Sequence, residues 1–380
     1  MSVIFLRLSI PSRADLSNIQ RPMRINHIYR LLNFVFVFAV FAGTGSSAQT
    51  DDSRGSAAEL DSILATLHAD GLFNGTLAIS EGDKIVYRAA FGEYEGEPVT
   101  TRTPIYLVSV SKAMAAAAVL SLVTDGRIAL DKPVGDYVRP CPYREVTVRH
   151  LLNQTSGLHF FSTITAYHDT TKSLTSHGLL ALIDEHKPDL AFEPGTEFAY
   201  DNANYAVLGA LLEAVTGRSY SENLRERVFE PAGLTSAFVA PSGEADWIGW
   251  VGGDGNAVHA SAEDLLTFDY AFRTGKIVPP DLIREAESPP TLPGGAESRY
   301  GFGRFLTDDP RPLIGHFGEG TNAKTGLWRE RETGTTYAIL MPGDDIRRTA
   351  ILGAVMALWN GKPYELPRAR KDFGSEQLPF

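Results

Sequence analysis

Apolar positions along this chain change period several times, and each change predicts an element. Leu60, Ile63, Leu64 and Leu67 recur at helical spacing behind the capping-box sequence Ser56-Ala57-Ala58-Glu59, which predicts a first helix with one buried stripe. Alternation then takes over. Thr76–Ser80 and Lys84–Tyr87 flank Glu81-Gly82-Asp83 and predict a hairpin within Gly75 to Phe91. From Ser109 the chain turns to an alanine-rich helical pattern, stopped at Asp125-Gly126. Helical periodicity and long polar loops dominate residues 146–250. The clearest buried helix there, Asn204 to Val215, is closed by Gly217. Strand patterns return at Pro312–His316, Thr325–Arg329 and Thr335–Met341, with Glu332-Thr333-Gly334 as one turn, and a last helix covers Arg347 to Leu358.

Strands near both ends with helices between them predict an α/β (α+β) chain. Both ends would build one antiparallel sheet flanked by helices, around an inserted all-helical domain. The expected divisions are 1–48 as an export signal, 49–145 and 251–380 as the two parts of the α/β domain, and 146–250 as the helical domain.

Arg24 and Arg30 precede the apolar run Leu31 to Ala42, and small residues up to Ala48 follow it. This order reads as an export signal cut after Ala48, placing the protein in the periplasm or the medium. The run falls short of the roughly 20 residues of a membrane span, so no stable membrane insertion is expected after cleavage. Met23 would begin a better-proportioned signal than Met1. Without residues 1–48 the 35 basic and 46 acidic residues become 30 and 45, a net charge of −15. Such an acidic surface disfavours nucleic acid as a partner. Cys141, the single cysteine, excludes an internal disulfide. The pattern does not settle the oligomeric state.

Three short words carry the candidate chemistry. Ser109-Val110-Ser111-Lys112 is the only Ser-x-x-Lys in the chain and opens the alanine-rich helix. Residues three apart on a helix share a face, so an amine lies within reach of a hydroxyl that needs a base to become a nucleophile. Tyr200-Asp201-Asn202 is the only Tyr-x-Asn. A phenol whose pKa is lowered by a nearby cation can shuttle the proton, and an amide can hold a substrate carbonyl. His316-Phe317-Gly318 falls where a strand should edge a cleft: the histidine could meet a substrate carboxylate or assist proton transfer, and the glycine permits close approach. Lys324-Thr325-Gly326, eight residues later, competes for this third role. Ser221-Glu222-Asn223, by contrast, reads as a helix start.

With these words and their flanks, the chain resembles the serine β-lactamase and penicillin-binding protein superfamily, in its class C β-lactamase-like branch. The likeness covers roughly 55–360. It includes Val108 to Lys112, His150 to Leu158, Phe198 to Tyr205, Ala260 to Leu265 and Tyr300 to Gly303. The resemblance implies a β-lactamase-like fold and a serine hydrolase acting on an ester, an amide or a D-amino-acid peptide, without a cofactor. It also implies roles. Ser109 would be the acylated nucleophile, Lys112 its proton partner and Tyr200 the general base, with Asn202 orienting substrate. His316 and Gly318 would line the substrate strand, and the backbone N–H groups of Ser109 and Glu319 would form the oxyanion hole. His150 and the Gln154-Thr155-Ser156-Gly157 turn would be structural. A His-x-Gly where class C β-lactamases carry Lys-Thr-Gly suits peptidase- and esterase-like members better.

The absence of Gly-x-Ser-x-Gly disfavours an α/β-hydrolase, and the absence of His-Glu-x-x-His excludes a zincin. His159, His168, His177 and His186 recur every nine residues, about 2.5 helical turns, so successive rings face opposite ways and no metal is expected. Two classes remain: a hydrolase turning over through Ser109, or a non-catalytic penicillin-binding sensor or scaffold of the same fold.

Overall fold

The computed structural model describes residues 57–168, 174–240, 258–295, 298–308, 312–320, 322–343 and 347–367. The expected export signal, Ser56 of the first capping box, and parts of the 160–173 and 288–297 loops lie outside these residues. Ala48–Ala369 form one compact unit.

The expected sheet is present and draws on both ends of the chain. We name its strands β1 (Gly75–Glu81), β2 (Lys84–Phe91), β3 (Phe305–Thr307), β4 (Leu313–Glu319), β5 (Ala323–Glu330) and β6 (Thr335–Pro342). Their order is β2-β1-β6-β5-β4-β3, and β1 pairs with β6 antiparallel from Thr76↔Leu340 to Glu81↔Thr335. β3, too short to leave a periodic signal, is an addition to the expected strands.

The five longest helices around this sheet and the site are α1 (Ala57–Ala69), α2 (Ser111–Thr124), α3 (Asn202–Thr216), α4 (Ala262–Arg273) and α5 (Arg348–Trp359). Side chains alternate along the strands and sort themselves into two cores. Leu77, Ile79, Trp328, Ile339 and Met341 pack with α1 and α5 on the outer face. Ala78, Leu327, Ala338 and Leu340 pack on the inner face with α2, α3 and α4. Ala113 and Ala115 to Ala118 of α2 are all buried, and their small side chains let α2 lie deep in this inner core.

The 146–240 stretch is helical and looped, apart from the two-residue strand Phe238–Val239 against Val258–Ala260. Ser221-Glu222-Asn223 is structural as expected, with the capping serine two residues earlier: Ser219 caps, Glu222 returns the bond, and Asn223 Nδ2 donates to Ser219 O.

Candidate active site

Ser109 lies in a single 3₁₀ turn, Val108–Val110, and the α-helix begins only at Ser111. This corrects the expectation that Ser109 is itself helical. The cause is the backbone at Val108, whose φ is +50°. A β-branched residue in that region costs about 1–2 kcal/mol, so the surroundings must hold it. Ser111 Oγ donates to Val108 O at 2.5 Å, and Thr325 Oγ1 donates to Leu107 O at 2.7 Å, fastening the turn to the inner face of β5.

Lys112 follows on the first turn of α2 and is completely buried. Its Nζ lies 3.1 Å from Ser109 Oγ and donates to Asn202 Oδ1 at 2.8 Å. The same nitrogen is 4.9 Å from the Tyr200 ring centre and 5.7 Å from that of Tyr205. Burial among aromatic rings strips water from the ammonium and pushes its pKa down to about 7, against the opposing field of Asp201. Near neutral pH a large fraction of this lysine is therefore a free amine.

Tyr200 donates its O–H to Ser109 Oγ at 3.0 Å. Its ring stacks on Phe305 at 5.9 Å and meets Tyr300 edge-on at 5.9 Å. Here the expectation of a lowered phenol pKa fails. Burial raises the phenol well above its usual range. The cation that was to lower it is itself destabilised by burial, so the phenol holds its proton more tightly, and the ammonium gives up its own more easily, than either would in water.

The Tyr-Asp-Asn word is held from behind. Gln154, at φ +63°, accepts from Asp201 N at 3.0 Å and from Asn204 Nδ2 at 2.6 Å. Ser156 Oγ donates to Asn204 Oδ1, and Tyr205 O–H donates to Leu152 O. The 150–158 stretch is structural in this sense: it fixes where Tyr200 and Asn202 sit. Tyr300 and Phe305, whose rings hold Tyr200, were not singled out in the sequence as site residues. Gly303 also contributes: a Cβ there would lie 2.5 Å from the Lys112 carbonyl.

On β4 the strand parity decides which groups reach the nucleophile. His316 faces inward, with its ring centre 5.9 Å from that of Tyr200 and 5.0 Å from that of Phe305. Gly318 also faces inward, where a Cβ would lie 2.2 Å from Thr325 Oγ1 and 2.5 Å from Leu107 O; only glycine fits. Phe317 packs outward with Trp328 at 4.9 Å. Glu319 shares that parity, and its carboxylate pairs with Arg348 of α5 and lies 3.4 Å from Lys324 Nζ.

Lys324 stands opposite Glu319 in the β4–β5 register and also faces outward, where its Nζ donates to Gly320 O. Of the two rivals for the third word, only His316 therefore lies beside the nucleophile. The imidazole is not the cation that a carboxylate would need. Burial, then Lys112 and Arg348, press its pKa down to about 3, although its Nδ1 sits 2.5 Å from Phe317 O.

The Glu319 side chain is turned away from the cleft, so only its backbone remains for the expected oxyanion role. Gly320 N donates to Ala323 O at 3.0 Å. Gly318 and Thr325 are then the next hydrogen-bonded pair, and the Glu319 N–H points away from β5. On that side, among the described residues, β3 pairs with Leu313 to Gly315 alone, and no strand bonds to β4 beside Val108.

Arg348 carried no signal in the sequence. It is buried under Phe317, with its guanidinium 4.0 Å from the ring centre, and donates to Gly318 O at 2.7 Å and Thr325 O at 3.1 Å. The four regularly spaced histidines disperse: His159 faces Asp201, His177 faces Glu213 and His186 stacks on Tyr167. Among the described residues no three His, Cys, Asp or Glu side chains gather where a metal could bind.

A hydroxyl contacted at once by a buried amine and a phenol, at the edge of an antiparallel sheet, defines a serine hydrolase working through an acyl-enzyme. The chain belongs to the Beta-lactamase family, whose model matches residues 60–356. It is similar to penicillin-binding protein 4* of Bacillus subtilis, at 27% identity over 82% of this chain and 78% of that protein. It is also 28% identical to a D-aminopeptidase of Brucella anthropi over 64% of this chain, and spans 51% of that enzyme's length. Among solved structures, the octameric penicillin-binding protein homologue from Pyrococcus abyssi shares the fold at a TM-score of 0.68 and 23% identity, over 80% of this chain and 77% of the other. The D-amino acid amidase from Ochrobactrum anthropi SV3, complexed with L-phenylalanine, shares it at 0.62 and 24%, over 75% and 90%.

Proposed function

We propose that this hydrolase cleaves amides or esters of small D-aminoacyl units whose leaving side carries no carboxylate. The observation that carries the catalytic part is the approach of Lys112 Nζ and Tyr200 O–H to one oxygen, Ser109 Oγ, at 3.1 and 3.0 Å. With Lys112 neutral, Ser109 O–H donates to Nζ, and the amine takes the proton as Oγ attacks the acyl carbon. The backbone N–H groups of Ser109 and Glu319 would hold the developing oxyanion. Tyr200, still protonated, delivers its proton to the departing nitrogen or oxygen and is reprotonated directly by the Lys112 ammonium, its neighbour across Ser109 Oγ. Water then attacks the acyl-enzyme by the reverse relay. In this reading Lys112, rather than Tyr200, is the general base, because burial moves the two pKa values in opposite directions.

The substrate part rests on charge. His316 is held neutral, and Lys324 and Arg348 are engaged by Glu319 on the far face of the sheet. Arg304 and Arg329 are engaged by buried Asp269 and by Glu287. None of these cations is poised to receive a substrate carboxylate. The D-aminopeptidase and D-amino acid amidase relatives motivate the aminoacyl unit.

The test is a panel on purified protein: D- and L-aminoacyl p-nitroanilides, p-nitrophenyl esters, nitrocefin, and D-Ala-D-Ala peptides with free or amidated ends. D-selective turnover that favours the amidated peptide is expected. Preference for free carboxylates would refute the substrate part, and persistent labelling by a fluorescent penicillin without turnover would refute the whole and point to a penicillin-binding sensor.

A further inference from the structure

We propose that Asp201 is the positioning residue of this site, a single carboxylate that ties together the helix bearing Asn202, the backbone at Phe161 and the proton on Lys112. The proposal deepens the reading of Lys112 as proton acceptor and rests on it.

Asp201 stands between Tyr200 and Asn202 and is nearly buried. Its Oδ1 accepts from Ala203 N at 2.8 Å and caps α3, which begins at Asn202 and so presents the amide that holds Lys112 Nζ. Its Oδ2 accepts from Phe161 N at 3.2 Å, and His159 Nδ1 approaches the same oxygen at 3.7 Å. One carboxylate thus joins two segments forty residues apart.

A neutral Ser, Thr or Asn would cap the helix about as well. Burying a charge is costly, so the carboxylate must supply what a neutral cap cannot: a second acceptor for the Phe161 N–H and a negative potential at the amine. Lys112 Nζ touches the Ser109 hydroxyl, the Asn202 amide and the Tyr200 and Tyr205 rings; Asp201 and His316 act on it through their fields, and of all these only Asp201 can be an anion near neutral pH. Asp201 favours the ammonium while desolvation opposes it. Its own pKa is raised by burial and held back by the two backbone donors, His159 and Lys112. Asp201 therefore keeps the amine from losing its proton too far below neutrality, where it would be too weak a base to take one from a hydroxyl.

The experiment follows Lys112 directly, as the ¹³Cε resonance of lysine-labelled protein titrated with pH and assigned by Lys112→Arg. Asp201→Asn keeps the size and the cap but removes the charge and the second acceptor. The Lys112 midpoint, about 7 in the wild type, should fall by roughly half to one pH unit. The acid limb of kcat/KM should fall with it. A folded variant whose midpoint stays put or moves upward overturns the proposal. Should Asp201→Asn not fold, Asp201→Ser gives the same reading by the same criteria. The resonance reports whether or not the protein turns anything over. A shifted midpoint in a protein that hydrolyses none of the panel would therefore sink the proposed function and leave the role of Asp201 standing.

Discussion

Lys112 and Asn202 stand ninety positions apart in the chain, yet the amine of one donates to the amide oxygen of the other at 2.8 Å. That bond takes one amine hydrogen, leaving the lone pair of the neutral amine for the Ser109 hydroxyl. In the proposed mechanism the nucleophile and its base are thus aligned by a residue that does neither job.

Removing either partner of this relay should show it. Ser109→Ala is expected to abolish labelling by a fluorophosphonate and to cut kcat by at least about 10³-fold. Lys112→Ala should lower the acylation rate by about 10²–10⁴-fold while circular dichroism stays that of the wild type. Single-turnover rates near wild type for Lys112→Ala would remove the lysine from the mechanism.

The pH dependence has a definite sign. Lys112 must lose its proton to act, so kcat/KM should rise through about pH 7. Because the folded pKa lies below the unfolded value of 10.5, the unfolded chain binds more protons between the two. Stability should therefore climb as pH rises from about 7 toward 10.5. In that scheme the ammonium is a burden on the fold, and Lys112→Met should raise stability at pH 7 by about 1–2 kcal/mol while destroying activity. Urea melts at pH 7 and 9 check both statements; a less stable Lys112→Met contradicts them.

Tyr200→Phe distinguishes proton delivery from proton removal. A p-nitrophenolate leaves without a proton, whereas an amide nitrogen does not. The variant should lose roughly 10²-fold more on the p-nitroanilide than on the matching p-nitrophenyl ester. Equal losses on the two would make Tyr200 the general base after all.

His316 carries a stability signature of its own. Its pKa is pressed from 6.5 to about 3, so folding excludes a proton that the unfolded chain takes up. The stabilisation is present above pH 6.5 and is lost as pH falls toward 3, at up to about 1.4 kcal/mol per pH unit for this one group. His316→Gln should flatten that slope in denaturant titrations between pH 6.5 and 4. An unchanged slope would mean the imidazole is not buried as described.

Gly318→Ala addresses the close packing of β4 on the nucleophile turn. Its Cβ would lie 2.2 Å from Thr325 Oγ1 and 2.5 Å from Leu107 O. The backbone carbonyl cannot move without dragging Val108 and Ser109. A loss of kcat of about 10²-fold or more is expected, with a modest fall in Tm. Wild-type turnover in this variant would show that the turn tolerates displacement.

What could be read in the chain was whatever repeats over short distances. The hairpin at 75–91, the β4–β6 meander and the buried stripe of α1 follow from apolar period, and the motif words gave the reactive groups and their order. Even the inward placement of His316 and Gly318 against the outward Phe317 and Glu319 is a parity that a strand fixes. The sequence could not say which face meets the nucleophile, because that depends on α2 and α5 docking on opposite sides of the sheet. For the same reason Lys324 looked equivalent to His316 until its register opposite Glu319 turned it outward. The left-handed backbone at Val108, the guanidinium of Arg348 beneath β4 and the inverted protonation of Lys112 and Tyr200 belong to tertiary structure alone. The first is held by hydrogen bonds from Ser111 and from Thr325 on a distant strand, the second by the docking of α5, and the third by how far water is excluded; none is a property of neighbouring residues.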